Sequence, residues 1–191
     1  MDSHSDDSSD DSSGSFDDGS SSEASFNDAE DQSNRLFQYP PDTDTTKVEG
    51  SGRDGWLRNL TNEEWEELGR NITNHSRVEI RLYDGALNDH KMAFFCRGLT
   101  RSSSIIELDL FENGLSAAAV RSMVPFLQNA TNLKELHLDN NNIQTEGFNI
   151  MFRAFRDSPI ETLLCNDCGI ESIEIENDYF PKHLVHLGLL W

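Results

Sequence analysis

The sequence predicts an α/β fold in which short parallel strands alternate with helices along a stack of repeated units, preceded by an acidic tail. Three observations carry this prediction. A segment that begins at Ile105 recurs 28 residues later. Apolar residues at helical spacing follow each copy. The acidic excess of the 191-residue chain is concentrated near its start. The folded region is therefore expected to be a short solenoid, that is, an open stack of like units.

The N-terminal region lacks the apolar residues that a core requires. Residues 1–46 contain thirteen acidic side chains and one basic one, and so carry −12 of the net charge of −20. Such stretches bury too little apolar surface to offset the entropy of ordering. We interpret residues 1–54 as a disordered acidic tail and linker. Serines such as Ser8, followed three residues later by Asp11, match the substrate pattern of acidophilic kinases, although the simpler role is a solubilising tail.

A capping helix is predicted to open the folded region. Thr61 and Glu64 form a capping-box pattern for a helix of about residues 62–71, which has an apolar stripe. The stripe consists of Trp65, Leu68 and Ile72, and it is preceded by the apolar residues Trp56, Leu57 and Leu60. We interpret residues 55–76 as an N-terminal cap of the stack or as the helix half of a degenerate first unit.

Residues 77–191 are predicted to form about four repeated units and a partial last one. The two clearest copies begin at Ile105 and Leu133, and both fit L-x-x-L-x-L-x-x-N-x-L, including the asparagine. Weaker copies flank them, with Gly85 and Cys168 in the asparagine place. The positions assigned to the repeated structure are Ile80, Leu82, Leu108, Leu110, Asn113, Leu115, Leu136, Leu138, Asn141, Ile143, Leu163, Cys165, Cys168 and Ile170. The partial copy contains Leu184, Leu187 and Leu189.

An amphipathic helix is predicted between successive strands. Met92, Phe95, Cys96 and Leu99 stand at i, i+3, i+4 and i+7, and the same columns recur in the next two units. The repeated asparagine is expected inside the stack, where its amide can bond the backbone of the turns as a ladder. Gly85 would lose one rung of that ladder.

With this pattern the chain resembles the ribonuclease-inhibitor-like subfamily of leucine-rich repeats, which includes the Ran GTPase-activating proteins and the receptor domains of innate-immunity NTPases. The resemblance covers roughly residues 77–191 and does not extend to the tail. It implies a horseshoe segment with parallel strands on a concave face and helices on a convex face.

No enzyme is predicted, because the sequence contains no nucleophile elbow, phosphate-binding glycine loop or paired-histidine motif. His137 could be drawn as a base with Asp109 and Asp139 as its carboxylate partners. In a repeat sheet, however, these three residues are expected to form an exposed ridge, and isolated surface histidines are usually not catalytic.

One pattern has the residue types of a zinc site. Cys165-x2-Cys168 is followed by His183-x2-His186, but the histidine spacing is shorter than usual for zinc. The repeat register also places both cysteines inward and His186 outward. We interpret the cysteines as structural, and predict no metal or cofactor.

The candidate binding surface is formed by the variable, outward-facing strand positions. Asp84, Glu112 and Asp167 share one column, while Tyr83 and Phe111 share another at a strand spacing of about 5 Å. Exposed aromatic residues ringed by charge are typical of binding hot spots, and the acids would steer a basic partner. The predicted contacts are Arg81, Tyr83, Asp84, Asp109, Phe111, Glu112, His137, Asp139 and Asp167. We predict a protein interaction module whose partner has a basic surface.

Charge and composition restrict the other partners. A pI of about 4.4 disfavours nucleic acid and anionic membranes, and no apolar run reaches the length of a membrane span. Three cysteines and a start without a secretory signal favour a cytoplasmic or nuclear location. No oligomeric state is predicted. Two other functions stay open: a chaperone-like factor that binds histones or other basic proteins, and a GTPase regulator of the Ran GTPase-activating type.

Overall fold

The computed structural model describes residues 37–38, 44–99, 103–175 and 179–190. These residues form one seven-stranded sheet whose strands lie side by side in chain order. The first strand is antiparallel to the second, and every later strand is parallel to the one before it. The strands are β1 (Phe37–Gln38), β2 (Thr46–Ser51), β3 (Val78–Tyr83), β4 (Ile105–Asp109), β5 (Glu135–His137), β6 (Thr162–Leu164) and β7 (His186–Gly188).

The helices alternate with the parallel strands and pack against one another in chain order. They are α1 (Gly55–Asn59), α2 (Asn62–Ile72), α3 (Asp89–Leu99), α4 (Ala117–Asn129) and α5 (Gln144–Ala154). Along β2 and β3, buried residues alternate with half-buried ones, as in a sheet with one covered face. The expected α/β class is thus confirmed. Among the described residues, no helix has the length and apolar character needed to cross a membrane.

The core lies between the helices and the covered face of the sheet. Every position assigned to the repeated structure is buried, with exposed fractions of 6% or less. The predicted stripe of α3 is buried as well. In α4 the prediction is wrong at one position: Val124 is half-buried and Phe126 fully buried. The apolar pattern therefore identified the core positions, except that on α4 Phe126 is fully buried where Val124 was expected to be.

Asn141 connects two consecutive turns of the chain. Its Oδ1 accepts hydrogen bonds from the backbone N–H groups of Asn113 (3.1 Å) and Leu115 (2.8 Å) in the preceding unit. Its Nδ2 donates to the carbonyls of Leu110 and Leu138, both at 2.8 Å. One buried amide thus satisfies backbone groups that the turns leave without a ladder partner.

The same pattern extends to the neighbouring units. Asn113 accepts from the N–H of Leu87 (2.9 Å) and donates to the carbonyl of Leu82 (2.7 Å). Cys168 takes the asparagine place in the next unit, where its thiol donates to the carbonyl of Leu138 at 3.0 Å. Gly85 has no side chain and therefore contributes no hydrogen bond to the ladder. The predicted ladder is confirmed in these three units.

The start of the sheet corrects the predicted tail boundary. Residues 46–51, expected within the tail and linker, form β2 in register with β3, with Val48 beside Ile80. That offset is 32 residues, so a search at a period of 28 does not find it. Val48 is also the only large apolar residue in the strand. The remaining tail prediction falls largely on residues 1–36 and 39–43, outside the described residues.

The predicted capping box is confirmed at the start of α2. The Thr61 hydroxyl accepts from the N–H of Glu64 (3.2 Å), and the Glu64 carboxylate accepts from the N–H of Thr61 (2.7 Å). Because β2 precedes this helix and lies parallel to β3, the segment is the helix half of a first strand-and-helix unit. Of the two interpretations of residues 55–76, the structure favours this one.

Replacing Asn141 with alanine is expected to lower the free energy of unfolding by about 2 kcal/mol or more, because several buried backbone groups lose their partners at once. Urea unfolding followed by circular dichroism measures the change. Asn142→Ala is the matched control, because Asn142 is exposed and its side chain accepts only from Gln144. Equal losses in the two variants would contradict the role of the ladder.

Candidate functional site

The face of the sheet that points away from the helices is the candidate binding surface, called here the outer face. Strand register aligns its side chains in columns that run across the sheet. One column contains Lys47, Glu79, Glu107, Glu135, Thr162 and His186. The next contains Glu49, Arg81, Asp109, His137, Leu164 and Gly188. At the ends of the strands follow Ser51, Tyr83, Phe111, Asp139, Asn166 and Leu190.

Ion pairs neutralise the acids at the β2 and β3 side of the outer face. Arg81 donates from Nε to Glu107 Oε1 at 2.9 Å, and its NH2 lies 3.7 Å from Glu79. Lys47 Nζ lies 3.2 Å from the same Glu79 carboxylate. The hydrogen bond to Glu107 is the main cause of the raised pKa of Arg81. Arg81, predicted to contact a partner, is thus already paired within the sheet.

The two aromatic residues predicted as hot spots differ in their surroundings. Tyr83 is half-buried, and its hydroxyl donates to Glu49 Oε1 at 3.0 Å. That hydrogen bond is the main cause of the raised pKa of Tyr83. Phe111 is 37% exposed, which places it among the exposed large hydrophobic residues of the described chain. Phe111 is therefore the aromatic residue that offers contact area to a partner.

The predicted acidic column follows the strands at a turn with unusual backbone geometry. Asp84, Glu112, Asn140 and Asp167 all have left-handed φ angles, from 53° to 57°. The Asp84 carboxylate accepts from the Ser51 hydroxyl (2.9 Å) and lies 3.2 Å from Arg53 Nε. Glu112 and Asp167 are exposed. The acids share a column as predicted, but the Asp84 carboxylate is occupied by its contacts with Ser51 and Arg53, in the turn that follows β2.

His137 lies at the centre of the most acidic part of the outer face. Its Nδ1 is 3.9 Å from Asp109 Oδ2, and its Nε2 is 3.5 Å from Glu135 Oε2 without a hydrogen bond. The ring is only 21% exposed, so it is less accessible than the predicted ridge implied. Asp109 is the main cause of its raised pKa; Glu107 and Glu135 add to the effect, and burial opposes it.

One oxygen of the Asp139 carboxylate is engaged in a hydrogen bond within the chain. Its Oδ1 accepts from the backbone N–H of Asn166 at 2.7 Å, and Asn166 Oδ1 accepts from the N–H of Leu190 at 2.8 Å. These two bonds continue the support of the turns towards β7. Asp139 was predicted as a contact residue, and its position on the outer face is as expected, but one of its oxygens is engaged within the chain.

The outer face therefore has an acidic part and an apolar part. On β4 and β5, Asp109 and Glu135 lie near His137, and within the described residues neither carboxylate forms an ion pair with a lysine or arginine, although Arg81 is the register neighbour of Asp109. On β6 and beyond β7, Leu164 is half-buried and Leu190 is 73% exposed. The sequence did not predict Leu190 as part of this surface. It did not predict Glu49 either, because β2 was not predicted. The available signal for Leu190 was its place after a consensus leucine: it follows Leu189 as Phe111 follows Leu110 and Asp139 follows Leu138.

The arrangement offers no metal centre within the described residues, where no three His, Cys, Asp or Glu side chains converge. Cys165 and Cys168 are buried free thiols, and His183 and His186 are exposed. The expected orientation of the two cysteines and of His186 is confirmed. No protein-family model matches the chain.

The raised pKa of His137 predicts a pH-dependent contribution to stability. Because the folded-state pKa lies above the ordinary 6.5, this contribution is complete below about pH 6.5 and is lost as the pH rises through the folded value. NMR titration of the imidazole carbons measures the pKa directly. Asp109→Asn is expected to lower it more than Glu135→Gln, because Asp109 is the main cause. The reverse order would contradict the assignment.

Proposed function

We propose that the chain is a leucine-rich-repeat solenoid of the ribonuclease-inhibitor type that acts as a protein interaction module. Support comes from the repeated consensus in the sequence, from strands that are parallel in chain order, and from the asparagine ladder between units. Such a stack presents a continuous row of strand side chains, which is the usual binding surface of repeat proteins.

The observation that carries the proposal is the combination on β4 and β5 of uncompensated acids with an exposed aromatic ring. Phe111 is 37% exposed; Asp109 and Glu112 lie close to it along the chain, and Glu135 lies on β5 opposite Glu107. Within the described residues, none of these three acids forms an ion pair with a lysine or arginine. An aromatic side chain supplies contact area, while the acids attract a basic partner and orient it. The proposed partner is a protein segment with lysine or arginine residues.

The apolar part of the outer face refines the class of partner. Leu164 and Leu190 follow the acidic part in the direction of β7. A segment that crosses the strands would therefore place its basic residues over β4 and β5 and an apolar residue over β6 and β7. Binding is favoured over catalysis because Arg81, Tyr83 and Asp139 are engaged with other side chains or with backbone groups.

A second candidate uses the charge of the N-terminal residues instead of the outer face. Residues 1–46 hold thirteen of the 35 acids of the chain, and a chaperone-like factor would use them to hold histones or other basic proteins. The two candidates differ in which part of the chain is needed. A truncation that removes residues 1–36 leaves β1 and β2 in place, and so tests the acidic segment without cutting the sheet.

Phe111→Ala is expected to weaken binding of a basic partner by about tenfold or more, because Phe111 is the exposed anchor of the face. The probes are purified core histones and a panel of synthetic basic peptides with and without leucine, measured by titration calorimetry. Phe94→Ala is the matched control, since Phe94 lies on α3, with Arg97 over its ring at 3.9 Å. Unchanged affinity in Phe111→Ala would contradict the proposed site.

Removal of residues 1–36 is expected to leave peptide binding within about threefold, because the acids on β4 and β5 remain. Loss of histone binding in the truncated chain, together with an unaffected Phe111→Ala variant, would favour the chaperone-like candidate. Acceleration of GTP hydrolysis by Ran, assayed in parallel, would favour the GTPase regulator.

Charge removal on the outer face is expected to act mainly on association. In the double variant Asp109→Asn and Glu135→Gln, the association rate for a basic peptide should fall, and its dependence on salt should weaken. Stopped-flow measurements from about 0.05 to 0.5 M NaCl test this. Glu171→Gln and Glu174→Gln together form the control, because both residues are exposed beyond the strands. The same effect in both double variants would indicate net charge as the cause.

A further inference from the structure

The sheet ends at β7, whose outer edge has no partner among the described residues. The N–H of His186 and the carbonyls of Gly188 and Leu190 all bond towards β6, at 2.8–3.0 Å. Backbone groups of successive strand residues point to alternate sides, so those of Leu187 and Leu189 point away from the sheet. These groups form a template to which a further strand can be added.

Exposed apolar side chains flank this free edge. Val185 and Leu190 are 71% and 73% exposed, the two highest values among the exposed large hydrophobic residues described. Val185 directly precedes β7, and Leu190 stands two residues after it. Free backbone groups and exposed apolar side chains thus coincide at one edge, which is the composition of a strand-addition interface.

The edge also differs in charge from the rest of the chain. Residues 179–190 contain no acid, whereas the whole chain has a net charge of −20; Lys182 in this stretch lies 3.1 Å from Asp157. Two copies of so acidic a protein repel each other in most orientations. Contact through the β7 edge keeps their acidic segments apart, so this end is where a second copy can approach most closely.

The other end of the sheet indicates the direction in which a strand can be added. There β1 pairs antiparallel with β2, although all other pairs are parallel. A two-fold axis likewise places two copies of one strand antiparallel. Head-to-tail addition would instead pair β7 with β1 of the next copy, and β1 has only two residues, which offer fewer backbone groups than a second β7 edge.

We propose that two copies of this chain associate through β7, with the two β7 strands antiparallel about a two-fold axis. The Leu187 and Leu189 backbone groups of each copy pair with those of the other, and the two seven-stranded sheets become one continuous sheet. Val185 and Leu190 are covered in this contact. The interface leaves Phe111 and the acids of β4 and β5 uncovered, and it shares Leu190 with the apolar part of the outer face.

Sedimentation equilibrium of the full 191-residue chain from about 10 to 500 µM tests the proposal. The mass is expected to rise from 21.6 kDa towards twice that value, and to rise further at high salt because screening reduces the repulsion between acidic copies. A chain that stays monomeric throughout would overturn the proposal. Association that weakens with salt would also overturn it, because an acidic segment bound to the β7 edge would be the occupant.

Two further measurements locate the contact. Val185→Lys with Leu190→Lys should abolish association, whereas Phe111→Lys, a like substitution on the outer face, should retain it; circular dichroism checks that both fold. In the unmodified protein, hydrogen exchange at the Leu187 and Leu189 amides should slow as the concentration rises. Association without that protection, or association retained in the lysine double variant, would place the contact elsewhere and overturn the proposal.

Discussion

The structure depends on hydrogen bonds from a few buried side chains to the backbone of the turns. Some N–H and carbonyl groups in and around the turns after β3, β4 and β5 have no backbone partner, and Asn113, Asn141 and Cys168 bond them from inside. An unpaired backbone group in this position would cost about 1–3 kcal/mol. The turns can therefore be buried and stacked, which keeps successive strands in register.

This constraint decides which side chains are displayed. With the turns fixed, alternate residues of each strand must point away from the helices, so the outer face is a set of columns rather than a single cleft. Pairing within the columns then determines its character. Arg81 neutralises the acids beside it, whereas no lysine or arginine occupies the matching positions on β4 and β5.

The two ends of the sheet differ in whether the edge of the outermost parallel strand is covered. At the first end an antiparallel strand, β1, covers β2. At the other end, β7 leaves backbone groups and apolar side chains accessible, and the chain carries the least negative charge there. A single sheet thus carries two surfaces of different character: the outer face, with its acids on β4 and β5, and the edge of β7, where residues 179–190 contain no acid.

The sequence alone determined the class of fold, the core positions, the ladder and the capping box, because each follows from local periodicity or from a short motif. The 28-residue period was enough to place Asn113 and Asn141 inside and Phe111 outside. Tertiary structure decided the rest. β2 could be recognised only from its pairing with β3, since its offset from β3 differs from the 28-residue period. The pairing of Tyr83 with Glu49, and of Asp84 with Ser51, joins residues more than 30 positions apart. Such contacts depend on how strands lie beside one another, and no local pattern encodes them.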